Sequence, residues 1–184
     1  PLNLEKMHVM VEEACKGLAG VSASQVEIQS GIQFYDGITT EEIQEILIRS
    51  ASDLIDLDHP NYQFVAARLL LFALRKQLYG RMHETPSVID HVQRCVNSGV
   101  YDGEILQLYS QEEFDRLESF IDHDRDYLFT YAGLRQVADK YLVQDRSTSE
   151  VYETPQFMYL MIAATIFSKY PQDKRLDYVK RYYD

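Results

Sequence analysis

Residues 61–80, with the sequence NYQFVAARLLLFALRKQLYG, carry an apolar pattern with helical spacing. Phe64, Leu71 and Leu78 recur every seven residues, and further apolar side chains flank them. A helix that is apolar around most of its circumference is typically surrounded by other helices. Gly80 follows the pattern and suits the left-handed conformation that ends many helices. The stretch therefore predicts a largely buried helix at the centre of the fold.

Three further helices precede this one, and two of their starts carry capping signals. Ser22 with Gln25, and Thr39 with Glu42, match the capping-box pattern, in which two side chains bond each other's backbone N–H groups. The predicted helices span residues 4–18, 22–34, 39–57 and 61–79. The chain up to about residue 80 is therefore expected to form a compact four-helix module.

The remainder of the chain, residues 81–184, predicts a helical domain with one β-hairpin. Two Thr-Pro pairs, at 85–86 and 154–155, predict helix starts because proline suits the first helical position. Residues 141–154 alternate in polarity around a polar turn, which is typical of a short hairpin. The expected helices here span residues 86–99, 110–120, 125–140 and 155–170, with a last one from about residue 172. The fold class is therefore expected to be mainly α.

Composition disfavours several classes of protein. With 29 acidic and 18 basic side chains the net charge is -11, whereas a surface that binds nucleic acid needs clustered Lys and Arg. No stretch approaches the roughly 20 apolar residues of a membrane span, and residues 1–10 lack the features of a signal peptide. Cys15 and Cys95 lie far apart without a CxxC motif, so no zinc ribbon is indicated. We expect a cytoplasmic protein with no nucleic-acid or membrane partner.

The segment IDHDRD, residues 121–126, offers a possible metal site. His123 and Asp124 form a His-Asp dipeptide, which HD-type metal phosphohydrolases combine with an upstream His and a downstream Asp. The candidates for those two positions are His83, His91 and Asp139. An HD-type metal phosphohydrolase is therefore one alternative function for the chain.

The same segment also has a purely structural interpretation. Asp is favoured at helix starts, where its carboxylate accepts backbone N–H groups. Asp122 or Asp124 would then cap the helix that begins near Arg125, and Arg125 would pair with a carboxylate. This interpretation is favoured because a chain with five His and many Asp residues offers such metal-ligand combinations by chance.

A second group of residues suggests an anion site. Lys6 lies in the first turn of the first helix, Thr40 in the first turn of the third, and Lys76 late in the fourth. Unbonded N–H groups at a helix start attract phosphate, and lysine adds positive charge. Spacing alone cannot bring the three residues together, and the alternative is that they are ordinary caps and surface lysines.

Four long segments resemble, in order and spacing, the N-terminal part of the large (alpha) subunit of class I (Ia-type) ribonucleoside-diphosphate reductase of bacteria. They are QVEIQSGIQFYDGITTEEIQEIL (25–47), NYQFVAARLLLFALRKQLYG (61–80), FIDHDRDYLFTYAGLRQVADKYLVQDR (120–146) and YETPQFMYLMIAATIFSKYP (152–171). The resemblance implies that residues 1–80 form most of an ATP-cone, the allosteric activity domain that binds activating ATP or inhibiting dATP. Residues 81–184 resemble the helical domain that precedes the reductase barrel, where IDHDRD holds no metal.

The resemblance also implies which residues contact nucleotide, with Mg²⁺ accompanying the phosphates. The corresponding positions in this chain are Leu2, Asn3, Leu4, Glu5, Lys6, Thr40 and Lys76. The family cone begins with a β-hairpin whose basic residues also contact nucleotide, and this chain starts after that hairpin. Nucleotide binding by the chain alone is therefore expected to be weak or absent.

The family chemistry needs three cysteines, one for a thiyl radical and two as the reducing pair, and this chain has two. The resemblance therefore implies no catalytic residue, catalytic cofactor or metal in this chain, because the catalytic barrel follows the helical domain. The implied partners are the small (beta) subunit and other alpha subunits. A stand-alone ATP-cone nucleotide sensor is a further alternative, but such sensors carry a zinc ribbon.

Overall fold

The computed structural model describes residues 4–31 and 33–184, the side chain of Leu4 excepted. Within those residues it contains α-helices, one 3₁₀ helix over His123–Leu128 and one pair of antiparallel strands, which confirms the mainly α class. The helices are α1 (Leu4–Cys15), α2 (Ala23–Gly31), α3 (Thr40–Asp53), α4 (Tyr62–Tyr79), α5 (Val88–Asn97), α6 (Ile105–Leu108), α7 (Gln111–Glu118), α8 (Tyr131–Lys140), α9 (Pro155–Phe167) and α10 (Arg175–Tyr183). None of these helices has the length and apolar character that a membrane crossing requires.

The chain divides into two compact units. The first combines Pro1–His83 with Tyr127–Gln136, and the second combines Glu84–Asp126 with Val137–Asp184. The division falls inside α8, whose first six residues belong to the first unit. The predicted domain boundary at residue 80 stays a prediction, and the compact units differ from it chiefly in the segment Tyr127–Gln136.

The core of the first unit is built around α4. Helices α1 and α3 pack against α4, and α2 packs against α1 and α3. Ten of the 18 residues of α4 are buried, as the apolar pattern predicts. The fully or almost fully buried side chains include Val11, Ala14, Val26, Leu47, Ile48, Ala51, Tyr62, Val65, Leu71 and Phe72.

Two helix ends in the first unit follow their local signals closely. The Thr39 hydroxyl accepts a hydrogen bond from the Glu42 N–H at 3.2 Å, and the Glu42 carboxylate accepts one from the Thr39 N–H at 2.8 Å. This capping box starts α3. Gly80 adopts a φ of 74°, and its N–H bonds to the Lys76 carbonyl at 2.9 Å, which ends α4.

Three helices of the first unit are shorter than predicted. The Asp56 carboxylate accepts the N–H groups of Asp58 and His59, so the chain turns after α3 ends at Asp53 and does not continue to residue 57. Helix α1 ends at Cys15 and not at residue 18, since Gly17 takes a left-handed φ of 72°. The predicted end of the second helix near residue 34 is also too late, since α2 ends at Gly31.

The helices in the second half of the chain differ from the predicted ones in three places. The fifth helix is capped by Ser87, whose hydroxyl accepts the Asp90 N–H at 3.2 Å, and not by Thr85. The predicted helix over residues 125–140 is two elements, the 3₁₀ helix and α8. They separate where the Thr130 hydroxyl accepts the Gly133 N–H at 3.2 Å and starts a new helix. The single-turn helix α6 was not predicted.

In the second unit, α7 packs against α5 and α10, and α9 packs against α10. The predicted hairpin is confirmed as strands β1 (Gln144–Asp145) and β2 (Glu150–Val151). The helix predicted over residues 110–120 begins with a capping box between Ser110 and Glu113, which starts α7. A buried ion pair joins two of these helices, since the Arg175 guanidinium donates to both carboxylate oxygens of Glu113, at 2.7 and 2.5 Å.

We expect Leu71→Ala to lower the free energy of unfolding by about 2 to 5 kcal/mol, because it leaves a cavity in a fully buried part of α4. Leu57→Ala is the matched control, since Leu57 is fully exposed and its truncation is expected to change stability by less than about 0.5 kcal/mol. Urea denaturation followed by circular dichroism measures both values. Equal losses in the two variants would contradict the assignment of α4 as the central helix.

We expect Glu113→Gln to cost about 3 to 5 kcal/mol at pH 7, because it leaves the Arg175 charge buried without its partner. The hydrogen bonds from Arg175 hold the pKa of Glu113 below its ordinary value. The carboxylate therefore contributes stability above about pH 4.3, the ordinary pKa of Glu, and that contribution is lost as the pH falls through the lower folded pKa. The difference between wild type and variant, measured by urea denaturation from pH 7 to pH 3, should shrink in acid, and a constant difference would contradict this account.

Candidate functional site

A single cavity in the first unit is lined by Lys6, Thr40 and Lys76 together. Its volume is about 1470 Å³. Lys6 lies in the first turn of α1, Thr40 is the first residue of α3, and Lys76 lies in the last turn of α4. The fold therefore brings together three residues whose spacing in the sequence could not place them side by side.

The structure describes only some of the other residues that were predicted to contact nucleotide. Glu5 also lines the cavity. Leu2 and Asn3 lie outside the described residues, and Leu4 begins α1 with a side chain that is not described. The assignment of all seven residues as nucleotide contacts stays a prediction, which the cavity geometry favours for Glu5, Lys6, Thr40 and Lys76.

The start of α3 gives the cavity its anion-binding chemistry. The first N–H groups of a helix have no acceptor within the helix. The capping box uses those of Thr39 and Glu42, and it leaves those of Thr40 and Glu41 for a ligand. These donors carry the positive end of the helix dipole, and the Thr40 hydroxyl adds a further donor.

Positive and negative side chains are balanced in the lining. Lys6, Lys76 and Arg81 face the cavity together with the carboxylates of Glu5, Asp36 and Glu41. Among the described residues Lys76 has no ion-pair partner, so its charge is available to a ligand. A polyanion would meet both the cations and the carboxylates, and a divalent cation would offset the repulsion because carboxylate oxygens are ligands that Mg²⁺ prefers.

An aromatic pair, Phe34 and Tyr35, also lines the cavity. The Tyr35 hydroxyl donates to the Glu42 carboxylate at 2.9 Å, which fixes the ring beside the start of α3 and raises the pKa of Tyr35. Sequence reasoning did not identify these residues. Both residues stand in the sequence directly before the Asp36-Gly37 turn and the Thr39 capping box. Because a short turn brings the residues on its two sides close together, this position could have predicted that Phe34 and Tyr35 lie beside the start of α3.

The IDHDRD segment has a structural role in the second unit. The Asp122 carboxylate accepts the Asp124 N–H at 3.0 Å, and Arg125 forms an ion pair with the Asp184 carboxylate at 3.8 Å. The His123 ring packs edge-on against Phe157 at 4.8 Å between ring centres. No group of three His, Cys, Asp or Glu residues within 4–31 and 33–184 could hold a metal ion. The HD-type interpretation therefore has no ligand set among these residues.

His91, one of the candidate metal ligands in the HD-type interpretation, belongs to a buried hydrogen-bond network. Its ring stacks on Phe157 at 3.8 Å, and its Nε2 lies 3.3 Å from the Tyr101 hydroxyl. That hydroxyl donates to the Glu153 carboxylate, which also accepts the Val143 N–H at 2.8 Å. Burial, with smaller effects from neighbouring cations, lowers the pKa of His91 to about 3, and burial raises the pKa of Glu153. The network ties α5 to the segments that flank the hairpin.

A small helical module whose cavity is lined by a helix start and by lysines has the chemistry of an anion-binding domain. Comparison with protein families agrees: residues 1–77 match the ATP cone domain, and residues 127–184 match the all-alpha domain of ribonucleotide reductase. The chain therefore carries an ATP cone domain and, in residues 127–184, the all-alpha domain of ribonucleotide reductase, the two domains that the sequence resemblance implies.

Individual relatives match along all or most of the chain. It is 52% identical over 183 residues to ribonucleoside-diphosphate reductase 1 subunit alpha of Escherichia coli (strain K12), and 51% identical over 183 residues to the subunit alpha of Haemophilus influenzae. Both matches cover 100% of this chain and 24% of the relative. The subunit alpha of Enterobacteria phage T4 is 47% identical over 167 residues, which are 90% of this chain and 22% of the relative. The chain thus spans about a quarter of the length of these relatives.

We expect acid to destabilise the wild type more than a His91→Phe variant. A folded pKa below the ordinary 6.5 means that the unfolded chain takes up a proton that the folded chain does not, so stability falls as the pH drops from about 6.5 to about 3. The loss attributable to His91 is up to about 1.4 kcal/mol per pH unit. Phe keeps the stacking on Phe157 and removes the titration. Urea denaturation from pH 7 to pH 4 measures both proteins, and parallel curves would contradict the assignment.

Proposed function

We propose that the chain is the regulatory N-terminal part of a ribonucleotide reductase alpha subunit and that its cavity binds ATP or dATP. The observation that carries the proposal is the shared lining of one cavity by Lys6, Thr40 and Lys76. The ATP-cone match over residues 1–77 supports it independently.

The phosphates of the nucleotide bind at the start of α3 in this proposal. The N–H groups of Thr40 and Glu41 donate to phosphate oxygens, and Lys6 and Lys76 neutralise charge from α1 and α4. Mg²⁺ accompanies the phosphates, with Glu5, Asp36 and Glu41 as the carboxylates available to it or to its water ligands. Phe34 and Tyr35 offer aromatic surface to the base.

Regulation follows from unequal affinity for alternative assemblies. A nucleotide shifts an equilibrium between assemblies only by the difference in its affinity for them. We propose that the assemblies involve the small (beta) subunit and other alpha subunits. ATP activates and dATP inhibits in this scheme, and the regulated reaction is the reduction of ribonucleoside diphosphates for DNA synthesis.

The cysteines of this chain do not take part in that reaction in our proposal. Cys15 and Cys95 are both free thiols. Burial raises the pKa of each thiol to about 11, so little of either is the reactive thiolate at neutral pH. Free thiols also suit a reducing compartment, and we propose a cytoplasmic location.

The test is calorimetric titration of dATP and Mg²⁺ into the intact polypeptide that carries this chain. Lys76→Gln should weaken binding by about tenfold or more, because a hydrogen bond to a charged group contributes about 1.5 to 3 kcal/mol. Lys16→Gln is the matched control, since Lys16 is exposed, pairs with Glu13 and lies outside the cavity lining. Absence of binding by the wild type, or equal binding by both variants, would overturn the proposed site.

A further inference from the structure

We propose that the segment Tyr127–Gln136 positions the helices around the cavity and thereby sets its affinity for nucleotide. This inference rests on the function proposed above. The segment belongs to the same compact unit as residues 1–83, although it lies outside the residues that match the ATP cone domain. No residue of the segment lines the cavity, so any effect on binding must act through the helices it contacts.

The segment contributes directly to the core of the first unit. Leu134 is fully buried and belongs to the same apolar cluster as Leu47 of α3 and Leu71 of α4. Tyr127 and Tyr131 pack against that cluster at its edge. The hydrophobic contacts that hold α3 and α4 together therefore include a segment from later in the chain.

A specific ion pair connects the segment to α3. The Arg135 guanidinium donates to the Glu45 carboxylate at 2.8 Å. Glu45 directly follows Gln44, which lines the cavity on the same helix as Thr40. The pair therefore holds α3 about one turn beyond the helix start to which we assign the phosphates.

Tyr127 connects the segment to α4. The guanidinium groups of Arg68 and Arg75, both on α4, lie 5.6 and 5.5 Å from the centre of the Tyr127 ring. The Phe72 ring of the same helix meets Tyr127 nearly edge-on at 6.3 Å. Cation–π and aromatic contacts of this kind fix the position of α4, whose last turn carries Lys76.

Arg68 extends this connection to α1. Its guanidinium donates to the carbonyls of Ala14 and Lys16, at 3.1 and 2.7 Å, around the end of α1. The guanidinium that contacts Tyr127 therefore also holds the helix that carries Lys6.

The segment thus contacts α3 and α4 directly and reaches α1 through Arg68, and these are the three helices that supply Thr40, Lys76 and Lys6. A ligand that bridges separate elements binds more tightly when those elements are already held in place. Loss of the contacts of Tyr127 or Arg135 should therefore weaken nucleotide binding without removing any group that touches the nucleotide.

Two sets of variants of the intact polypeptide test this by dATP calorimetry. Tyr127→Leu should weaken binding about five- to tenfold, and Tyr127→Phe, which keeps the ring, should stay within about twofold of the wild type. Arg135→Glu should weaken binding about three- to fivefold, and the double variant Arg135→Glu with Glu45→Arg should recover most of that loss. Arg146→Gln, in the exposed hairpin turn, is the control expected to bind as the wild type does.

Hydrogen exchange provides a readout that does not depend on a variant's stability. In the wild type, saturating dATP should slow exchange of the backbone amides of residues 131–136 at least about threefold, because binding stabilises the helices they hold. If the wild type binds dATP and Lys76→Gln weakens it, but Tyr127→Leu and Arg135→Glu bind normally and residues 131–136 show no slowing, the positioning role is wrong and the proposed function stands. If the wild type binds no dATP, both proposals are wrong.

Discussion

Burial of α4 is the constraint on which the first unit depends. Its apolar side chains face α1 and α3 together, so one helix fixes the positions of two others. Hydrophobic burial is non-directional, so it does not determine at which residue a helix begins or ends. The polar groups at the helix ends determine that. The capping box at Thr39 and the left-handed Gly80 set where α3 begins and α4 ends. The cavity lies where these ends meet.

The site therefore arises from helix ends and not from a sequence motif. A helix start offers N–H donors without internal acceptors, and the last turn of α4 offers Lys76. Because three separate helices supply the groups, binding depends on how firmly they are held relative to one another. That dependence gives the later segment Tyr127–Gln136 a functional part in a cavity that it does not line.

Local signals predicted much of the fold, and long-range contacts account for the rest. The capping box at Thr39, the helix start near residue 110 and the hairpin after Leu142 follow from neighbouring residues and were predicted correctly. The convergence of Lys6 with Lys76 depends on tertiary packing, which spacing does not encode; helix ends and charge suggested a shared anion site, and the family resemblance favoured it over the alternative of ordinary caps and surface lysines. The role of Tyr127 needed the structure, because its partners on α4, Arg68 and Arg75, precede it by 59 and 52 residues in the sequence.

The central claim is that one triphosphate binds at the start of α3 and is reached by lysines from two other helices. A crystal structure of the intact polypeptide with dATP and Mg²⁺ tests it most directly. The account predicts phosphate oxygens within about 3 Å of the N–H groups at Thr40 and of the Lys6 and Lys76 amino groups. Nucleotide bound elsewhere on the first unit, with these three residues facing only solvent, would contradict it.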